Sequence, residues 1–131
     1  MNTQIIKVDP EHPDIEKIRI AAEILKKGGL VAFPTETVYG LGGDAEDAGA
    51  SKAIYAAKGR PSDNPLIVHI CDYSQLEKIS KDLPPEAKKL SDAFWPGPMT
   101  LIVNKNGVIP HETTGGLDTV AVRFPSHPVA N

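Results

Sequence analysis

A single cysteine, Cys71, in 131 residues leaves no disulfide framework and no cysteine-cluster zinc site. Aromatic residues make up only 5%, with one tryptophan, so platforms for stacking nucleic-acid bases are few. Basic residues do not dominate either: 14 Lys and Arg face 17 Asp and Glu, a net charge of −3, which argues against the broad basic face of a nucleic-acid binder. No apolar run approaches the ~20 residues of a membrane span. The N-terminal stretch carries Asp9, Glu11 and Asp14 where a signal peptide would be apolar. A cytoplasmic protein without a membrane partner is expected. Internal repeats and low-complexity tracts are absent. Also missing are the P-loop, the dinucleotide fingerprint, the G-x-S-x-G elbow and the H-E-x-x-H helix, since His111-Glu112 runs into Thr113-Thr114. The four histidines are scattered, so spacing assigns no metal site.

What the chain has in excess is proline, 12 of 131 residues, nearly twice the usual share of roughly 5%. Pro34, Pro61, Pro65, Pro96, Pro98, Pro110, Pro125 and Pro128 punctuate apolar segments, which marks stiff, ordered loops and no interdomain linker. With 40% hydrophobic and 24% charged residues, 1–131 has the composition of one globular domain. Residues 3–8 are β-prone. Ile15, Ile18, Ala22 and Leu25 recur at helical spacing up to Lys26, Lys27 and Gly28, the signature of an amphipathic helix and its C-terminus. A second helix is predicted over 48–58, stopping at Gly59; Ser74 to Glu77 fits a capping box, and Pro84-Pro85-Glu86 opens a further helix to about Phe94. Strands are predicted over 30–33, 66–71, 99–103 and 119–124, with a turn at Asn106-Gly107. Alternating strands and helices indicate an α/β or α+β domain with a mixed sheet. The last residues, Val129-Ala130-Asn131, stand where another element is expected to begin, as in a domain cut short.

Polar groups follow the buried strands. After Phe33 come Pro34-Thr35-Glu36-Thr37-Val38-Tyr39-Gly40-Leu41-Gly42, a loop able to hold a small polar ligand, or equally a helix N-cap followed by a glycine turn. Lys58-Gly59-Arg60-Pro61-Ser62-Asp63-Asn64-Pro65 offers two cations and an amide on a proline-stiffened loop, which suits a polyphosphate; Lys58 could equally complement the helix C-terminus with Arg60 solvated. His69 lies in an apolar strand, a common place for a half-buried structural histidine. Arg123 closes another strand, where ligand-facing residues of open sheets gather or a surface ion pair forms. Trp95-Pro96-Gly97-Pro98 is simplest as a rigid loop closing the core.

Taken in order, four motifs resemble the YrdC-like family, the threonylcarbamoyl-AMP synthases. They are Phe33 to Gly42, Lys58-Gly59-Arg60-Pro61 with Asn64-Pro65-Leu66, Trp95 to Thr100, and Val122-Arg123-Phe124-Pro125 with His127-Pro128. The resemblance implies an α/β fold, a twisted mixed sheet with flanking helices around a concave, positively lined cavity. It implies a nucleotidyltransferase that joins L-threonine, bicarbonate or CO2, and ATP into threonylcarbamoyl-AMP and pyrophosphate for tRNA threonylcarbamoyladenosine modification, alongside tRNA-modifying partner proteins. By position it makes Lys58, Arg60, Asn64 and Thr119 the ATP-binding set and Thr37, His69 and Arg123 the threonine-binding set, with Mg2+ accompanying ATP. No protein nucleophile and no protein-bound metal are implied; Lys58 and Arg60 would act electrostatically.

One departure is that the family's later Ser-x-Asn loop has no counterpart here, and Ser62-Asp63-Asn64 sits too close to the Lys-x-Arg segment to replace it. The 1–131 segment is therefore expected to be an incomplete YrdC-like domain, with reduced or no activity alone. Two readings compete: an RNA-binding module that holds tRNA or double-stranded RNA in the concave cavity, and a carbamoyl-transfer relative of hydrogenase maturation. The latter class normally brings zinc-finger and acylphosphatase modules, which this sequence lacks.

Overall fold

The computed structural model describes residues 2–131. Helix α1 (Ile15–Lys26) starts where the Asp14 carboxylate accepts from the Glu16 N–H, and Gly28 beyond its end has φ 80°. None of its residues is buried, and Ile15 and Ile20 stay exposed, so its apolar stripe is only partly used. Strands β1 (Val31–Phe33) and β2 (Gly40–Gly42) pair antiparallel, Phe33 opposite Gly40. The 34–39 segment is thus a hairpin loop, where the sequence alone allowed a helix cap. A Cβ on Gly42 would lie 2.6 Å from the Phe33 ring, so the bare backbone is what lets that ring lie across the hairpin.

Helix α2 (Ala48–Lys58) has the expected bounds, from the Asp47 side chain capping the Gly49 N–H to left-handed Gly59. Ala50, Ser51, Ile54 and Tyr55 form its buried face. Strand β3 (Ile67–His69) leads into α3 (Tyr73–Ile79). This helix opens two residues earlier than the capping-box pattern suggests, because the Asp72 carboxylate takes the Ser74 N–H at 2.7 Å. Helix α4 (Pro85–Phe94) begins with Pro85, whose missing N–H would be unpaired there anyway. Strands β4 (Thr100–Asn104) and β5 (Thr119–Arg123) complete a mixed sheet ordered β3-β5-β4, with β3 parallel and β4 antiparallel to β5.

Residues 3–8 form no strand. Their β-propensity finds no partner, and a strand exists only through pairing.

Alternation divides the faces of the β3-β5-β4 sheet. Val68, Val103, Val120 and Val122 point to the core, where Leu76 and Ile79 of α3 and Ile109 cover them. The opposite face carries Ile67 and His69, Thr100 and Ile102, and Thr119, Ala121 and Arg123. Ile102 is 71% and Ile67 47% exposed, so this face is open, and it is the face on which the candidate residues stand. A cleft of about 690 Å³ lies beside Lys81, Asn104, Lys105 and Asp118, next to the Thr119 end of the sheet, and another of about 400 Å³ runs along α1. Among the described residues, no helix is long and apolar enough to cross a membrane.

Candidate active site

The parallel register sets His69 directly beside Arg123, and Thr100 flanks Arg123 on its other side. Thr37 arrives from the β1–β2 loop. Its Oγ1 lies 3.4 Å from both Nη1 and Nη2 of Arg123, so the three residues expected to hold threonine meet at one end of the sheet. Thr35 shapes the loop that delivers Thr37: its Oγ1 accepts from the Thr37 and Val38 N–H groups and donates to the Val38 carbonyl at 2.6 Å.

The Arg123 side chain is only 11% exposed, and Nε and Nη2 have further partners. Nε–H points to the Gly97 carbonyl at 3.4 Å, and Nη2 forms an ion pair with Glu36 Oε1, while Glu36 Oε2 accepts from the Ser126 N–H at 3.2 Å. Burial pushes the Glu36 carboxyl up, but the hydrogen bond and charge of Arg123, with backbone N–H groups, more than offset it and hold the carboxyl below its ordinary 4.5. Glu36 and Gly97 were only parts of loops in the sequence. The partner that gives Glu36 its role is 87 residues away, which no local pattern reveals.

His69 Nδ1 lies 3.2 Å from the Ile67 carbonyl, and the ring stands edge-on to Phe33 at 5.8 Å. A carbonyl can only accept, so the neutral ring carries its proton on Nδ1 and keeps the Nε2 lone pair free. Desolvation by the surrounding protein is the main cause that lowers the imidazole pKa below the ordinary 6.5. The Arg123 charge acts in the same direction, against the Ile67 hydrogen bond and the Glu36 charge. Because the folded state then binds its proton less readily than the unfolded chain, His69 contributes stability that is complete above about pH 6.5 and is lost as pH falls toward the depressed folded value. The expected NMR titration of the His69 ring has its midpoint below 6.5, and a midpoint at or above that value would contradict this environment.

The expected nucleotide residues lie toward the other end of the same sheet. Thr119 starts β5, four residues before Arg123, or roughly 13 Å at ~3.3 Å per residue. The 58–65 loop feeds directly into β3, which runs parallel to β5, so it reaches the sheet at the end where Thr119 stands. Lys58 ends α2 and is exposed. Arg60 is not simply solvated: Nε donates to the Asn64 carbonyl at 3.3 Å and Nη2 to the Pro65 carbonyl at 2.7 Å, which closes the loop on itself and leaves Nη1 free of these bonds. Gly115 (φ +63°) backs this loop, and a Cβ there would lie 2.9 Å from the Asp63 carbonyl. Two polar ends separated by the apolar row Ile67, Ala121 and Ile102 can take an elongated ligand with an anionic group at each end.

The family model Sua5/yciO/yrdC, described as telomere recombination, matches residues 23–131. The chain is 60% identical over 114 residues to the threonylcarbamoyl-AMP synthase of Pyrococcus abyssi, covering 87% of this chain and 34% of that protein. It is 55% identical over 115 residues to the synthase of the same name from Bacillus subtilis, covering 87% of this chain and 33% of that one. The crystal structure of P. abyssi Sua5 complexed with L-threonine superposes with a TM-score of 0.89 at 57% identity, over 91% of this chain and 35% of that one. The chain thus spans about a third of the length of these relatives.

Proposed function

The chain belongs to the Sua5/YciO/YrdC family, and we propose that its protein is a threonylcarbamoyl-AMP synthase, a nucleotidyltransferase acting on L-threonine, bicarbonate or CO2, and ATP. The observation that carries this reading is the convergence of Thr37, His69 and Arg123 at one end of a sheet whose fold is shared with a threonine-bound Sua5. Arg123 holds the amino acid's carboxylate, and the free Nε2 of His69 accepts from its amine or hydroxyl. At the other end Lys58, Arg60, Asn64 and Thr119 bind the nucleotide.

When the carboxylated amine of threonine attacks the α-phosphorus, the P–O bond to pyrophosphate breaks and negative charge gathers on the phosphate oxygens. The cations of Lys58 and Arg60, the latter held by the Asn64 and Pro65 carbonyls, stabilise that charge. Mg2+ would enter as the counter-ion that ATP carries. It would neutralise the polyphosphate. The product serves tRNA threonylcarbamoyladenosine synthesis.

The test is pyrophosphate release that requires ATP, L-threonine and bicarbonate together. ATP affinity, by calorimetry, should fall about tenfold or more in Arg60→Ala, as expected for a lost charge-assisted contact worth roughly 1.5–3 kcal/mol. Lys58→Ala should do the same without loosening the loop, since Lys58 takes no part in the Asn64 and Pro65 closure. Unchanged ATP affinity in both variants would remove this loop from the site.

A further inference from the structure

An arginine that clamps a carboxylate must present two parallel N–H groups, and a guanidinium on a flexible stem does so only when its other donors are tied down. Arg123 has five. The Gly97 carbonyl faces Nε–H, and the Glu36 carboxylate takes one hydrogen of Nη2. These two partners fix the plane and rotation of the group. What remains is the Nη1–Nη2 edge, and both nitrogens face Thr37 Oγ1 at 3.4 Å, long contacts that a ligand oxygen can replace. Glu36 is itself held from its other oxygen by the Ser126 N–H, so it ties the β1–β2 loop to the segment after β5.

The geometry points to Glu36 as a positioning residue: it orients Arg123 so that the Nη1–Nη2 edge is presented to the carboxylate of the bound amino acid. This rests on the function proposed above and deepens it. The pair is well shielded, 11% exposed at Arg123 and 20% at Glu36, so solvent competes little for the guanidinium. The carboxylate remains charged across neutral pH because Arg123 holds its proton affinity down. His69 of β3 stands beside Arg123, and its depressed proton affinity keeps it neutral at neutral pH, so it adds no second cation next to the guanidinium.

The experiment compares L-threonine with L-threoninol, its analogue without the carboxylate, on the wild-type chain, Glu36→Ala and Glu36→Gln, by calorimetry. Glu36→Ala should weaken threonine about tenfold or more and leave threoninol within about twofold. Glu36→Gln keeps an oxygen acceptor for Nη2 and should recover part of the loss. Equal weakening of both ligands would mean that Glu36 only supports the fold, and tighter threonine binding in either variant would mean that it competes with the ligand; each result overturns the proposal.

A wild-type chain that binds no threonine would sink the proposed function instead. The positioning role is then read without ligand, from the Arg123 side-chain signals in nitrogen-15 NMR. Hindered guanidinium rotation in the wild type should be reduced in Glu36→Gln, and lost in Glu36→Ala where that variant folds. Unaltered rotation would overturn the inference.

Discussion

Arg123→Ala is expected to lower L-threonine affinity about a hundredfold. Two charge-assisted hydrogen bonds to one carboxylate are together worth about 3 kcal/mol, and each 1.4 kcal/mol is a factor of ten in affinity. The same substitution has a second, pH-dependent consequence. It leaves the Glu36 carboxylate with the Ser126 N–H but no cation, four-fifths shielded from water. In the wild-type chain Glu36 titrates below its ordinary 4.5, so its pairing contributes stability present above that value and lost as pH falls through the depressed one. Without Arg123, burial is no longer offset by that hydrogen bond and charge, and the carboxyl rises from its depressed value. The stability difference between wild type and Arg123→Ala should therefore be largest at neutral pH and narrow as pH falls toward the depressed wild-type value, where Glu36 takes up its proton in both proteins. Denaturant titrations at pH 7 and pH 4 check this. A gap independent of pH would show that the ion pair contributes nothing to folding, and threonine binding unmoved by the substitution would remove Arg123 from the site. Arg123→Lys keeps the charge but not the fork, so it should restore stability more than affinity.

Leu76→Ala should cost about 2–5 kcal/mol of folding stability. Leu76 has no exposed surface and packs among Val68, Ile79, Val103, Val120 and Val122, the back of the sheet whose front carries His69 and Arg123. The cost combines lost transfer energy with the cavity left where α3 and the sheet cannot close over it. For a domain of ordinary stability, 5–15 kcal/mol, that is a large share, and the thermal midpoint should drop clearly. An exposed control, Ile102→Ala on the opposite face, should move stability far less because that side chain is already 71% in contact with solvent. Equal losses would mean that the open face is covered in solution.

Features governed by neighbouring residues were legible from the sequence by itself. Gly59 ends α2 because glycine accepts a left-handed φ, a local effect. Pro85 opens α4 for a similar reason, and the apolar runs around Val68, Val103 and Val122 mark strands of one core. The ordered motifs also identified the family, and with it the residues that the structure brings together as Thr37, His69 and Arg123.

Tertiary structure alone decided the rest. The β-prone residues 3–8 stay unpaired, since strand formation depends on a partner and no local propensity supplies one. Whether residues 34–42 cap a helix or turn a hairpin depended on β2 finding β1. Arg60, a free phosphate ligand by composition, spends two donors on carbonyls that only the folded loop brings within reach. Glu36 was one carboxylate among several until packing set it against an arginine 87 residues away, where exclusion of water makes that single pairing decide how the arginine is aimed.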